Sequence, residues 1–397
     1  MKNTLLLLIL IPYMSIAQTE YETDFNIFLN DYEQYFGYLE DREIDIDRIR
    51  NYYQDDVKAV GSKDEFISLM EIVINEFYNG HISLNTSISS SNNIIPTGAD
   101  IYAVKDGQKY FISDLRKGFP AETTGLKKGM EITKFNDQDI SDAVKKFLPK
   151  TVDNYNQTMY QYAVNMLLAG KRKTKRKITV LNEGDEEEFI IDNSDFKMYK
   201  TLIEFEEIDD KTGYIKINNS LGNSDLIPAF DEVLDSLFSL ETIILDLTET
   251  PSGGNTMVGR AIMGRFINKE LPYQIHLFNE KPYNTVRKWI EIASPREKNY
   301  KGNLIVMVGH WTGSMGEGIA IGFDAMKRGD VLGTKMAGLI GAIYILKMPN
   351  TEIGYSIPVE KMYHVNGTPR EDFIPTINTK NRDETYKKAL EISKNSK

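Results

Sequence analysis

The chain of 397 residues contains no cysteine. That excludes disulfides, a thiol nucleophile and a lipid-modified cysteine anchor. Histidine is scarce, and His81, His276, His310 and His364 are scattered rather than paired at a metal-ligand spacing, so neither a metal nor another cofactor is expected. Beyond the first residues no apolar run is long enough to cross a bilayer, which argues against a stable membrane span. Positive charge is also short: the net charge of −11 disfavours nucleic acid as a partner. The one basic run, Lys171-Arg172-Lys173-Thr174-Lys175-Arg176-Lys177, leads straight into Ile178-Thr179-Val180-Leu181. It reads as a solvated strand edge, not a nucleic-acid patch.

Lys2 gives a positive start, Leu5 to Ile11 an apolar stretch, and Ser15-Ile16-Ala17 a small-residue cleavage signature. Residues 1–17 therefore read as a secretory signal peptide, which predicts a protein exported to the periplasm or the extracellular space. Residues 18–95 read as a helical region. Phe25, Phe28, Leu29, Tyr32, Tyr35 and Phe36 keep a 3.6-residue period, as do Phe66, Leu69, Met70, Ile72, Val73 and Phe77. Ser62 with Glu65 makes a capping box, and Asn79-Gly80 a helix end just before His81.

Residues 96–195 form a small mixed domain, with strands predicted at Asp100 to Val104 and Lys109 to Ile112. The spacing of Pro120-Ala121, Gly125-Leu126 and Gly129 resembles the short-helix and turn signature of PDZ domains, which add an extended peptide to a sheet edge. Residues 196–397 alternate strand and helix, which predicts an α/β core with largely parallel strands. Strands are expected at Gly213 to Ile217, Thr242 to Leu247, Leu304 to Val308, Val331 to Gly333, Ala342 to Lys347 and Thr351 to Ile357. Helices are expected at Ile227 to Leu240, Thr256 to Ile267 and Met315 to Lys327.

Four local signals in this chain bear on chemistry. Ser314 follows a buried strand and opens a helix, where free N–H groups can stabilise an oxyanion; with Glu317 it equally makes a helix cap. Ser252-Gly253-Gly254 after Asp246-Leu247 would let a carbonyl approach the backbone, or be a plain turn. His81 at a helix end is a base or a helix-dipole contact. Gly367-Thr368-Pro369-Arg370-Glu371-Asp372 is a turn with two acids, or a solvent-facing loop.

The order of these pieces resembles the tail-specific (C-terminal processing) peptidase family, in particular its tricorn-like branch. That resemblance spans nearly all of the mature chain. It implies a crotonase/Clp-protease-like ββα spiral core with an N-terminal helical region and an inserted PDZ-like domain. It also implies a serine peptidase with Ser314 as nucleophile, His81 as base and Glu371 assisting the histidine. Gly253 or Gly254 and Met315 would supply the oxyanion N–H groups, and the substrate would be a peptide or unfolded protein. In the serine–lysine branch the lysine's place falls on Leu339, and the nearest lysine, Lys335, has no stated reason to lose its proton. His310, four residues before Ser314, is a rival base in poor position to turn back on it. The family's Asp-Leu-Arg-Gly-Asn-x-Gly-Gly is replaced here by a run through Thr248-Glu249-Thr250-Pro251, and its Asp-Gly-His by Asn79-Gly80-His81. A non-catalytic peptide or apolar-ligand binder on the same scaffold, and a non-peptide acyl hydrolase, are the competing readings. Substrate identity and oligomeric state leave no mark in the sequence.

Overall fold

Helix α1 (20–35) turns Phe25, Phe28, Leu29 and Tyr32 inward, as its 3.6-residue period predicts, but leaves Tyr35 of the same set exposed. The computed structural model describes residues 20–193 and 199–395, so the expected signal peptide lies outside the described residues. Helix α2 (Ile46–Lys58) is capped by Asp45, and α3 (Lys63–Ile74) by Ser62, whose Oγ accepts from the Glu65 N–H. The aromatic face of α1 packs on these helices and also on Met348, Tyr355, Ile357 and Val359 from the far end of the chain. The turn after α3 ends at Tyr78, which takes the left-handed conformation expected of Gly80. Gly80 is required for a different reason: a Cβ there would lie 2.2 Å from the Ile95 carbonyl oxygen.

The small domain carries β1 (Ile101–Asp106), β2 (Lys109–Leu115), α4 (Pro120–Thr123), β3 (Glu131–Phe135), β4 (Gln138–Asp139), α5 (Ile140–Val144), α6 (Gln157–Ala169), β5 (Arg176–Asn182) and β6 (Asp185–Ile191). Its antiparallel sheet runs β1-β2-β3-β5-β6, with β4 paired to β3. The basic run is not simply a solvated edge. Strand β5 lies inside the sheet, and Arg176 is buried against Asp100 at 2.9 Å.

The free edge of β1 is covered by α6. Asn165 accepts the Ala103 N–H (3.0 Å) and donates to its carbonyl (3.1 Å), as a neighbouring strand would. Gln161 and Gln157, at helical spacing, donate to the Ala103 and Lys105 carbonyls. A peptide adding to this edge must displace that amide ladder. Asn165→Ala is expected to cost about 1–3 kcal/mol, because the Ala103 N–H then stays buried without a partner. Urea unfolding checks it, and an unchanged midpoint with unchanged slope would refute the ladder's role.

The rest of the chain builds two sheets from β7 (Ile203–Glu207), β8 (Thr212–Ile217), α7 (Leu226–Ser236), β9 (Thr242–Asp246), α8 (Thr256–Gly264), β10 (Leu271–Glu280), β11 (Thr285–Ala293), β12 (Asn303–Val308), α9 (Met315–Ala325), β13 (Asp330–Gly333), β14 (Ala342–Lys347), β15 (Gly354–Tyr363), β16 (Ile377–Asn378) and α10 (Arg382–Asn395). One sheet runs β16-β13-β12-β9-β8-β7 and is parallel except for the β7–β8 pair. Its α-covered face buries Ile215, Leu245 and Val306 against α7, α8 and α9. Its other face packs Ile244, Ile305 and Leu332 on Ala389 of α10. The second sheet, β11-β10-β15-β14, is antiparallel. The chain is thus α/β with mixed sheets, as the strand–helix alternation predicts. Its last predicted strand begins at Gly354 rather than Thr351.

Candidate active site

Strands β9 and β12 are parallel neighbours, and the loops leaving their carboxyl ends meet. Thr312 shapes the second loop: its Oγ1 accepts the Gly309 N–H and donates to the Leu247 carbonyl, each at 2.9 Å. The Gly313 N–H donates to the Thr250 carbonyl at 3.2 Å, fastening one loop to the other. Ser314 then opens α9 with φ 51° and ψ −111°. A residue with a β-carbon held there stores about 1–3 kcal/mol and persists only where its surroundings over-determine it.

Two neighbours do so. Glu317 reaches back and accepts the Ser314 N–H at 2.7 Å, the half of the predicted capping box that holds the strained backbone. Gly253, with φ +64°, lies directly against Ser314: a Cβ there would sit 2.3 Å from Ser314 Cβ and 2.9 Å from its Oγ and from Met315 N. Gly253 and Gly254 thus bring backbone up to the serine, as their position in the sequence suggests. The Gly253 N–H, however, donates to the Thr250 carbonyl (3.1 Å), which leaves Gly254 as the candidate donor of the pair. Asn255 follows and caps α8 through the Val258 N–H at 2.9 Å.

A short loop, residues 338–341, joins this serine to His81. The other oxygen of Glu317 accepts the N–H groups of Gly338 (2.9 Å) and Leu339 (3.3 Å). Burial pushes the Glu317 carboxyl up to about 7, against the pull of Arg370 and of its N–H donors. On the histidine side, Nδ1 of His81 lies 2.7 Å from the Ile340 carbonyl oxygen. A carbonyl only accepts, so Nδ1 carries the proton and Nε2 is the basic nitrogen. Asn79 completes the attachment: its amide oxygen accepts from the N–H groups of His81 (3.0 Å) and Ile340 (3.3 Å), and its NH2 donates to the Gly338 carbonyl (3.0 Å). An aspartate could not make that last bond.

Leu339 stands where the two arms converge. A Cβ on Gly80 would lie 3.1 Å from one of its methyl groups, and a Cβ on Gly313 3.0 Å from the other. Among the described residues no direct hydrogen bond joins Ser314 Oγ to His81. Burial first, then the nearby Arg370 guanidinium, lowers His81 from 6.5 to about 4, so the ring is neutral at ordinary pH.

Glu371 does not occupy the place expected of it, because the Ile340 carbonyl holds Nδ1. Burial raises the Glu371 carboxyl, and one of its oxygens is buried without a protein partner. It lines a cavity of about 700 Å3 together with Tyr38, Arg42, Trp311 and Leu339. His310 lines the same cavity, stacked on Tyr102 with ring centroids 3.6 Å apart. Burial lowers it to about 3. Its Nδ1 meets no partner, and its backbone bond is to Lys335 rather than to the serine. Among the described residues no group of acids and histidines could hold a metal ion.

The sequence model of peptidase family S41 matches residues 211–379, the stretch that holds Ser314, Glu317, Arg370 and Glu371. Residues 211–379 are a peptidase family S41 domain. The chain is therefore a serine-type peptidase. Solved structures share its fold at low identity. Mature CPAF aligns with a TM-score of 0.67 at 13% identity, covering 96% of each chain. The photosystem II D1 C-terminal processing protease aligns at 0.57 and 14%, covering 90% of this chain and 92% of its own. A putative peptidase from Parabacteroides merdae aligns at 0.55 and 13%, covering 94% and 96%. No curated protein matches the chain.

The S41 domain match excludes His81, which reaches Ser314's neighbourhood through the packing of the N-terminal helices on β15 and through the hydrogen bonds of Asn79 and His81 to loop 338–341. Sequence reasoning missed the part played by loop 338–341 and by Arg370. A backbone carbonyl leaves no residue signature, and an arginine beside two acids in a turn reads as solvent-facing.

Proposed function

We propose that the protein is an exported peptidase that cleaves peptides or unfolded proteins through an acyl-enzyme on Ser314, with His81 as the base. The observation that carries this reading is Ser314 itself: a strained serine at a helix N-terminus, against Gly253, in an S41 domain. His81 Nε2 takes the Ser314 proton as Oγ attacks the carbonyl carbon, and the Gly254 and Met315 N–H groups receive the oxyanion. The protonated ring then gives that proton to the leaving amine. Water, deprotonated in turn by His81, attacks the ester, and the acid product leaves as Ser314 regains its proton. Glu371, the acid that the family resemblance assigns to assist the histidine, lines the adjoining cavity and makes no hydrogen bond to His81, whose Nδ1 is held by the Ile340 carbonyl. Export rests on Lys2, the Leu5 to Ile11 stretch and Ser15-Ile16-Ala17. Among the described residues no helix is long and apolar enough to cross a membrane. The tricorn-like branch, the crotonase-like spiral and the PDZ-like character of residues 96–195 belong to this same reading.

The deciding experiment is trapping with a serine-reactive phosphonate followed by peptide mass mapping. The adduct is expected on Ser314 and absent from Ser314→Ala. Labelling that persists in that variant moves the nucleophile elsewhere, and no labelling of the wild type favours the binder.

A further inference from the structure

Both ends of the candidate site hang on loop 338–341, and a single buried cation grips that loop. Arg370 is 3% exposed. Its Nη2 donates to the Leu339 carbonyl (2.8 Å) and to the Gly341 carbonyl (2.9 Å), and its Nη1 lies 2.9 Å from the Met362 sulfur. The carbonyl between those two, that of Ile340, receives His81 Nδ1, and the Arg370-held Gly341 carbonyl also acts on the ring. We infer that Arg370 is a positioning residue for His81: by holding the Leu339 and Gly341 carbonyls it fixes the Ile340 carbonyl that orients the imidazole.

Three features support this. The guanidinium holds its Nη2 in a fixed plane, with Nη1 against the Met362 sulfur, so that this one nitrogen serves the two carbonyls flanking Ile340; a lysine ammonium on a shorter, flexible stem keeps the charge without that fixed plane. A buried cation is costly unless its surroundings compensate it, and here Glu317 and Glu371, the acids that share its field, lie beside it without taking its hydrogen bonds. Finally, the same loop binds the Glu317 carboxylate that holds the strained Ser314 N–H, so a loop displaced by losing Arg370 would disturb base and nucleophile together.

Arg370 is also the charged group that acts directly on the His81 ring, and it opposes protonation there. Orientation and charge therefore work in one direction, towards a neutral, aligned base. The two can be separated, because Arg370→Lys keeps the charge and loses the fixed plane, while Arg370→Met loses both.

This inference rests on His81 as the base, but it is testable without turnover. The full-length mature chain carrying 13C-labelled histidine is titrated by NMR, with the His81 signal assigned by His81→Gln. In the wild type the ring is expected to titrate near 4. In Arg370→Met the midpoint moves up but stays below 6.5, because burial, the larger cause, remains. In Arg370→Lys it stays low, while the ring carbon signal shifts because the Ile340 contact loosens. With a peptide substrate both variants lose on the order of 100-fold in kcat, the scale of a small misplacement of reacting groups, with KM nearly unchanged. The acid limb of the Arg370→Met profile moves up with the NMR midpoint, a change that general loss of folded protein would not produce.

If Arg370→Met does not fold, Arg370→Lys decides: loss of kcat with a shifted ring signal supports the inference. Wild-type kcat and an unmoved His81 signal in Arg370→Lys overturn it. An inactive wild type in which Arg370→Met still moves the titration would sink the peptidase reading and leave Arg370's role intact.

Discussion

Ser314→Ala is expected to lower kcat by about a million-fold, His81→Ala by a comparable factor, and the double variant by little more than either alone. Nucleophile and base act as one unit, because an imidazole has no proton to take once the hydroxyl is gone. KM should change little, since alanine leaves the surfaces around Gly253, Leu339 and the cavity in place. The residual rate measures what Gly254 and Met315 contribute without the serine. New amino termini released from an unfolded protein substrate provide the assay, with folding of each variant checked by its unfolding midpoint. Additive losses would mean that His81 and Ser314 serve different steps. An undiminished rate in Ser314→Ala would end the serine mechanism for this chain.

The features of that site were unequally legible before the structure. Ser314 and Glu317 could be found because a strand-to-helix junction with small residues has a local signature, and both lie where it predicts. The glycine pair was legible for the same reason, although the N–H of Gly253 is spent on Thr250. His81 was reachable only through family resemblance, since it arrives from a helical region more than two hundred residues upstream. Glu371 shows the limit of that route: order along the chain put an acid near the histidine, but the Ile340 carbonyl takes Nδ1. The parallel strands read clearly as buried apolar runs. Strands β10 and β11 did not. Their hairpin turns through Lys281-Pro282-Tyr283 to a left-handed Asn284, without glycine, and β11 is largely exposed, with Arg287 and Lys288 in its middle. Helix α10 was missed because charged side chains such as Arg382, Asp383, Glu384, Lys387 and Lys388 crowd it, and it buries little beyond Thr385, Ala389 and Ser393.

The largest stability effect is expected from Arg116→Met. Arg116 leaves β2 at the edge of the small domain and is completely buried, as is nearly all of Glu249 in the loop after β9, and the two are paired at 2.9 Å. Arg116 also donates to the carbonyls of Thr97 (2.9 Å) and Ala99 (3.2 Å) and to the Tyr199 hydroxyl (3.0 Å), and that hydroxyl bonds the same Glu249 oxygen. Removing the cation leaves Glu249 charged and buried, with one oxygen already lacking a partner. Breaking such a pair from one side costs about 3–5 kcal/mol. Glu249 precedes Thr250, whose carbonyl holds both Gly253 and Gly313, so the disturbance reaches the backbone against Ser314. Arg116→Met with Glu249→Leu should recover most of the loss, because neither charge is then stranded in a nonpolar setting. Denaturant unfolding of the single and double variants gives the coupling directly. A loss under about 1 kcal/mol in Arg116→Met, below the range for breaking a buried pair, would show that water reaches Glu249 and that this loop does not depend on the small domain for its shape.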